Sequence, residues 1–260
     1  MAKTAVCPPG IMNKIGVPLD RIHPVAIVVG DPKWLEMLAS LATRQEFFAR
    51  YKSLSSMELE FNGQTFFALS FGFGATNLHR LLTELAVFGV KCVILITNTF
   101  SLLPGRVPAN ALCITYAACR GDYASTIEVD LAYPAIAHPD ATRALRKAAE
   151  ELKLDYHLTR TLTNDYAYNS KLGRPNALRD EIRKTDVELE DRDIACFFVF
   201  SSYRGMVCGA ISCNETEPNT FDPNTAAPIE SDEAIEGRKQ AMKVALLAAS
   251  KLCVEHAFTD

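Results

Sequence analysis

The sequence has no CxxC pair, no apolar run of 18 residues and no excess of positive charge. Its eight cysteines are scattered through apolar stretches, which is typical of reduced core thiols and argues against a disulfide framework or a zinc site. A net charge of -4 at pH 7 argues against the basic surface that nucleic acid or an anionic membrane would require. We therefore expect a small molecule or another protein as partner, and no metal ion.

The N-terminal stretch lacks the apolar core of a signal peptide, because Lys3 and Pro8-Pro9-Gly10 stand where that core would lie. Without a candidate membrane span, the sequence predicts a soluble cytoplasmic protein. No linker, repeat or low-complexity stretch divides the 260 residues, which suffice for one large core. We therefore expect a single domain over residues 1–260.

Short apolar runs alternate with amphipathic stretches along the chain. Strands are predicted over residues 25–29, 57–71 (a hairpin turning at Asn62-Gly63), 91–97, 111–118, 156–163 and 206–213. Helices are predicted over residues 34–41, 75–88, 140–152 (with Asp140 as the cap), 170–185, 194–203 and 235–257, with polar loops over 98–101, 119–138 and 214–231. The order predicts an α/β three-layer sandwich around a mixed, mainly parallel sheet, with ligands at the carboxyl ends of its strands.

Two acids stand one residue apart in Val187-Glu188-Leu189-Glu190. In an extended segment Glu188 and Glu190 point to the same face, so both carboxylates can reach one cleft. Ionised carboxylates accept hydrogen bonds from vicinal hydroxyl groups and therefore suit a ribose. The alternative is a solvated charged run, because Asp186, Asp191, Arg192 and Asp193 flank the pair.

Six landmarks follow one another along the chain: Gly30-Asp31-Pro32, Gly72-Phe73-Gly74, a helix from Ala75 to Phe88 stopped by Gly89, Thr97-Asn98-Thr99, Asn164-Asp165-Tyr166 and Val187-Glu188-Leu189-Glu190. In this order the chain resembles the uridine/purine nucleoside phosphorylase family over residues 12–257, and most of all the hexameric kind of bacteria and apicomplexan parasites. The resemblance implies cleavage of a ribonucleoside by phosphate, which gives a free base and ribose 1-phosphate. It also implies phosphate as co-substrate with no other cofactor, and a homodimer or homohexamer. The residues that it assigns to the ribose are Glu188, Leu189 and Glu190.

The phosphate site that the resemblance implies is altered in this sequence. Its positions hold Gly30, Lys33, Trp34, Leu95 and Asn98, with Arg50 or Lys52 as the candidates for an arginine lent by a neighbouring subunit. Trp34 and Leu95 stand where the family has arginines. Each charge-assisted hydrogen bond of a guanidinium contributes about 1.5 to 3 kcal/mol, so we expect phosphate binding to be weakened by several orders of magnitude.

The base site that the resemblance implies is altered as well. Its positions hold Asn164, Tyr166, Ala167, Tyr168 and Asn214. Ala167 stands where the family has an aromatic residue that stacks on the base, although Tyr166 and Tyr168 flank it. Asn214 stands near the position of the acid that protonates a purine, and an amide cannot act as a general acid.

Three functions remain open from the sequence. The first is a degenerate member that keeps nucleoside binding without phosphorolysis and acts as a binding or regulatory subunit, possibly beside an active paralogue. The second is an active phosphorylase in which Lys33, Asn98 and Arg50 or Lys52 replace the lost ligands. The third is a nucleosidase that uses water, for which Glu188, Glu190 and Glu215 are candidate acids or bases. Altered residues cluster at the site while the scaffold pattern is intact, which favours the first function.

Four other polar residues have structural interpretations as well as functional ones. His79, Arg80 and Arg120 are possible anion ligands, but packing or ion pairing is the default role for such residues. Asp165 is expected to order a loop rather than to act as an acid.

Overall fold

The computed structural model describes residues 15–18, 21–51, 54–165, 177–215 and 230–255. These residues form ten strands and seven helices. The strands are β1 (Val25–Val29), β2 (Arg44–Tyr51), β3 (Leu54–Phe61), β4 (Gln64–Ser70), β5 (Cys92–Ser101), β6 (Leu112–Gly121), β7 (Ala135–Ile136), β8 (His157–Asn164), β9 (Leu189–Asp191) and β10 (Val207–Asn214). The helices are α1 (Pro32–Leu41), α2 (Ala75–Val87), α3 (Ala124–Glu128), α4 (Pro139–Glu151), α5 (Ala177–Ile182), α6 (Ile194–Tyr203) and α7 (Asp232–Glu255).

The strands form one mixed sheet in the order β10-β6-β8-β9-β5-β1-β4-β3-β2. Strands β4, β1, β5 and β10 are parallel neighbours, so their carboxyl ends lie along one edge. Strand β10 pairs with both β5 and β6, and the short strand β9 pairs with both β8 and β5. Strands β5, β10, β6, β8 and β9 therefore close into a small ring.

Apolar side chains lie on both faces of the sheet, as the continuous apolar run of β1 predicts. Val25, Ile27 and Val29 pack in one cluster with α1, α4 and α7, and Ala26 and Val28 pack in a second cluster with α2 and α6. The central sheet is thus covered by a helical layer on each side. No helix in the described ranges is long and apolar enough to cross a membrane.

Several boundaries differ from those that the sequence predicts. Strand β2 was not predicted; it is an edge strand with an irregular register between Phe47 and Ala49, which breaks the alternation of polar and apolar residues. Residues 98–101 were expected to form a loop but extend β5, because they pair with β10 and β9. Residues 119–138 contain α3 and β7 in addition to loops.

The cap of α4 is His138, not Asp140 as predicted. The Nδ1 atom of His138 accepts a hydrogen bond from the backbone N–H of Asp140, at 3.2 Å. Asp140 is instead in the first turn, where its negative charge is favourable.

Candidate functional site

Glu190 lies in the middle of the three-residue strand β9, opposite Phe100 of β5 and Leu162 of β8. Only 3% of its side chain is exposed. Its Oε2 atom is 2.8 Å from Nε of Arg179, and its Oε1 atom accepts hydrogen bonds from Arg192 at 3.2 Å and from Asn164 at 3.0 Å. A buried carboxylate is thus held by two guanidinium groups and one amide. The interpretation as a solvated charged run is wrong for this residue.

Glu188 contacts β8 at a different point. Its Oε2 atom accepts a hydrogen bond from the backbone N–H of Arg160, and its Oε1 atom lies 3.1 Å from the Arg160 guanidinium. The partners of Glu188 and Glu190, Arg160 and Asn164, are four residues apart in one strand. Leu189 is fully buried and packs with Val107 and Cys113. Each acid therefore has its own partners.

Two further acids, Asp191 and Asp193, lie between Glu190 and α6. Asp191 is fully buried and accepts hydrogen bonds from Thr161, Thr163 and the backbone N–H groups of Asp193 and Ile194. Burial raises its pKa, although these hydrogen bonds oppose the shift. The Oδ1 atom of Asp193 is buried without a hydrogen-bond partner. Burial, together with the charge of Asp191, raises the pKa of Asp193 to about 7.

The two positions at which the resemblance expects arginines contribute to different apolar cores. Trp34 is in α1, 9% exposed, and belongs to the core shared with α7. Leu95 is in β5, fully buried, and belongs to the core shared with α2 and α6. Among the described residues the fold therefore does not bring these two side chains to a common anion.

The other positions of the expected phosphate site are scattered. Gly30 directly follows β1 and lies against Gly72, whose N–H donates to the Gly30 carbonyl oxygen at 2.9 Å. A Cβ atom at Gly30 would lie 3.3 Å from the Gly72 carbonyl oxygen. Lys33 is exposed on α1. Arg50 forms an exposed ion pair with Glu36 at 3.0 Å, and Lys52 lies outside the described residues.

Arg238 of α7 joins two of these positions. Its guanidinium lies 4.6 Å from the centre of the Trp34 ring, and the residue as a whole is 3% exposed. Its Nε and Nη2 atoms donate to Oε1 of Glu215 at 3.0 and 2.8 Å, and Nη1 and Nη2 donate to the carboxylate of Glu230 at 3.3 and 2.9 Å. The other oxygen of Glu215 accepts a hydrogen bond from Nδ2 of Asn98 at 3.4 Å. Trp34 and Asn98 are therefore connected through one guanidinium and one carboxylate.

Two of the positions assigned to the base are described, and they are apart. Asn164 is bound to Glu190 at the end of β8. Asn214 ends β10, fully buried, with Nδ2 donating to Ser101 Oγ and to the carbonyl oxygens of Val107 and Pro108. Its amide therefore secures the chain after β5. Tyr166, Ala167 and Tyr168 lie outside the described residues.

The model of the phosphorylase superfamily matches residues 24–253 of this chain. The chain belongs to the nucleoside phosphorylase family. The purine nucleoside phosphorylase of Plasmodium falciparum is 26% identical over 251 residues, which cover 95% of this chain and 99% of the relative. The uridine phosphorylase of Haemophilus influenzae is 27% identical over 241 residues, which cover 88% of this chain and 92% of the relative.

Solved structures of nucleoside phosphorylases have the same fold. The purine nucleoside phosphorylase of Toxoplasma gondii, in complex with immucillin-H, matches with a TM-score of 0.83 and 22% identity over 96% of this chain and all of that one. The uridine phosphorylase of Vibrio fischeri matches with a TM-score of 0.80 and 19% identity over 93% and 98% of the two chains. The prediction of an α/β fold around a mixed central sheet, like that of the nucleoside phosphorylases, is confirmed.

Within this nucleoside phosphorylase fold, three of the four remaining candidates have structural partners, and the fourth, Arg80, is exposed on α2. His79 pairs with Glu128 at 3.0 Å, and the Arg120 guanidinium donates to several backbone carbonyl groups around α3. Asp165 accepts the backbone N–H of Tyr123 at 2.8 Å and thereby orders a loop. No group of three or more metal-ligating side chains occurs in the part of the chain that is described.

Sequence reasoning missed Arg238, Arg179, Arg192 and Asp193. Arg238 and Arg179 act through contacts with residues that are distant in the chain, and no local pattern distinguishes them from surface arginines. Arg192 and Asp193 were noted only as flanking charges of the Glu188 and Glu190 pair, where their alternation resembles a solvated stretch.

Proposed function

We propose that this member of the nucleoside phosphorylase family binds ribonucleosides and has weak or no phosphorolysis. The observation that carries the proposal is the burial of Trp34 and Leu95 in two different apolar cores, at the positions where the resemblance expects arginines. Neither side chain carries a charge or a fork of N–H donors for phosphate. A phosphate dianion would therefore lose its main ligands.

Glu190 is the residue that we propose for the ribose. A carboxylate has about four acceptor positions, and the contacts with Arg179, Arg192 and Asn164 use three of them. The two guanidinium groups keep an ionised carboxylate in place at the carboxyl end of the sheet, which is where ligands bind in such folds. Glu188 and Leu189 belong to the same proposed subsite as neighbours that fix the position of β9.

The residues proposed for the base can bind a nucleoside but lack an acid to protonate the leaving base. A leaving purine requires a proton, and Asn214 can neither supply one nor turn freely, because three acceptors hold its Nδ2 atom. Phosphorolysis would therefore be slow even if phosphate entered the site.

Nucleoside binding and turnover separate this proposal from its alternatives. Binding of uridine, inosine, adenosine and methylthioadenosine is measured by calorimetry, and release of free base is measured with and without phosphate. We expect binding of at least one nucleoside, loss of that binding in Glu190→Ala, and no phosphate-dependent release. Phosphate-dependent release that disappears in Glu190→Ala would show instead an active phosphorylase.

One observation favours an active phosphorylase as the second candidate. Arg238 places a guanidinium against Trp34, close to the position of the lost arginine. If Glu215 and Glu230 released it, Arg238 would be a new anion ligand. Release of base at equal rates with and without phosphate would instead indicate a water-dependent nucleosidase, with Glu215 as the candidate base.

We propose that the protein is cytoplasmic and that its ligand is a nucleoside or another ribose-containing small molecule. The proposed assembly is a homodimer or homohexamer, or a hetero-oligomer with an active paralogue. Copurification of a second nucleoside phosphorylase chain would support the last form.

A further inference from the structure

The parallel strands β1, β5 and β10 bring Trp34, Asn98 and Glu215 to the same edge of the sheet. In register, Asn98 of β5 lies opposite Cys213 of β10, and the N–H of Glu215 donates to the carbonyl oxygen of Thr99 at 2.8 Å. Strand β1, which leads into Trp34 of α1, lies on the other side of β5. Glu215 is therefore next to Asn98 at the carboxyl edge of the sheet.

The carboxylate of Glu215 is bound as a small oxyanion would be. Arg238 donates two hydrogen bonds to Oε1, and Asn98 donates one to Oε2. Charge-assisted hydrogen bonds from a guanidinium are typical of both carboxylate and phosphate recognition. Only 12% of the Glu215 side chain is exposed, and the indole of Trp34 supports the guanidinium from below.

We propose that Arg238 and Asn98 form a site for inorganic phosphate, and that the chain's own Glu215 carboxylate occupies it. This inference rests on the proposed loss of phosphorolysis and supplies a reason for it beyond the missing arginines. Phosphate is excluded because an anion that is part of the chain already binds the donors. A tethered group competes at a high effective concentration.

The charges of Arg238, Glu215 and Glu230 also favour the exclusion of phosphate. Arg238 has one positive charge, whereas Glu215 and Glu230, its two ion-pair partners, have one negative charge each. The net charge is therefore negative before phosphate arrives, and phosphate adds one or two more negative charges. Removal of either carboxylate makes the cluster neutral, and removal of both makes it positive.

Trp34 provides a local signal for the test, because it is the single tryptophan of the sequence and touches Arg238. Its fluorescence is recorded during titration with inorganic phosphate, with sodium chloride added to keep the ionic strength constant. The proteins are the wild type, Glu215→Gln, Glu230→Gln, the double variant and the double variant with Arg238→Met. Calorimetry gives the phosphate affinity independently, and thermal unfolding shows that each protein is folded.

We expect no saturable response in the wild type, weak binding in each single variant and binding at least about tenfold tighter in the double variant, because each substitution removes one repelling charge. Arg238→Met in the double variant abolishes the binding. Glu236→Gln is the matched control, since Glu236 lies on the same helix and pairs with Lys243 instead. It removes one negative charge without creating a phosphate response.

Equal phosphate binding by the wild type and the double variant would overturn the inference, and so would an absence of binding in the folded double variant. If Glu215→Gln does not fold, Glu230→Gln gives the same test, because Glu230 is 45% exposed and also binds Arg238. Nucleoside binding is measured separately. A chain that binds nucleoside but gains no phosphate site fails only this inference, whereas phosphate-dependent turnover by the wild type contradicts the proposed function.

Discussion

The guanidinium of Arg238 lies 4.6 Å from the centre of the Trp34 ring, and this contact joins the first helix, α1, to the last, α7. The same guanidinium is bound to Glu215, which directly follows β10, and to Glu230, which precedes α7. One buried side chain thus holds an aromatic ring and two carboxylates together.

Replacement of Arg238 by methionine keeps a similar volume but leaves the buried Glu215 carboxylate without its main partner. We expect the free energy of unfolding to fall by about 2 to 4 kcal/mol, because a buried charge without a partner is costly. Urea denaturation measures the change. Lys243→Met on the exposed face of α7 is the control, with an expected effect below about 0.5 kcal/mol. Equal stability of Arg238→Met and wild type would mean that the ion pairs contribute nothing.

Replacement of Glu190 by glutamine keeps the shape of the side chain and removes its charge. We expect nucleoside affinity to fall about 10- to 100-fold, because a hydrogen bond to a charged group contributes about 1.5 to 3 kcal/mol. Calorimetry with the nucleoside that binds the wild type best gives the ratio. The control is Glu181→Gln, since Glu181 is an exposed residue paired with Lys184. Unchanged affinity in a folded Glu190→Gln protein would remove this residue from the proposed ribose site.

Replacement of Asp193 by asparagine tests the pKa of about 7 that burial gives this carboxyl group. Because the folded pKa lies above the value of 3.8 for an unperturbed group, the folded protein keeps a proton that the unfolded chain releases. Stability due to this group is complete at low pH and is lost as the pH rises towards 7. We expect the stability of Asp193→Asn relative to wild type to increase by about 1 to 3 kcal/mol from pH 5 to pH 8. A pH-independent difference in urea denaturation would contradict this prediction.

The reactivity of the cysteine thiols tests the burial of the core without any amino-acid substitution. Burial raises the pKa of Cys208 to about 12 and also raises the pKa of Cys92 and Cys196, so their thiolates are scarce at neutral pH. We expect these three thiols to react with iodoacetamide only when the protein unfolds. Cys119 and Cys253 are partly exposed and react earlier, as peptide mass mapping will show. Early modification of Cys196 would place it at a surface.

Much of the scaffold could be predicted because its signals are local. The apolar run of β1, the Asn62-Gly63 turn and the periodicity of α2 each depend on neighbours in the sequence, and each element is found where it was expected. Strand β2 was missed because its pairing with β3 is irregular and much of its surface is exposed. Its identity as a strand depends on the partner strand more than on its own pattern.

The site was less predictable because its contacts join distant parts of the chain. Strand geometry predicted that Glu188 and Glu190 share a face, but it could not predict their separate partners on β8. In the sequence, Arg238 is one of several basic residues of a helical segment, and only the packing of α7 against α1 distinguishes it from the others. Its role is visible only when Trp34, Glu215 and Glu230 are seen around it.

Strand β9 has three residues, yet it closes the ring by joining Phe100 of β5 to Glu190 and Thr161 of β8 to Leu189. These pairings connect segments that are far apart in sequence, and contacts of that kind form slowly during folding because a long loop must close first. Glu190 acquires its position between β5 and β8 only when this happens. We therefore expect the nucleoside binding proposed for Glu190 to recover more slowly during refolding than the helical structure.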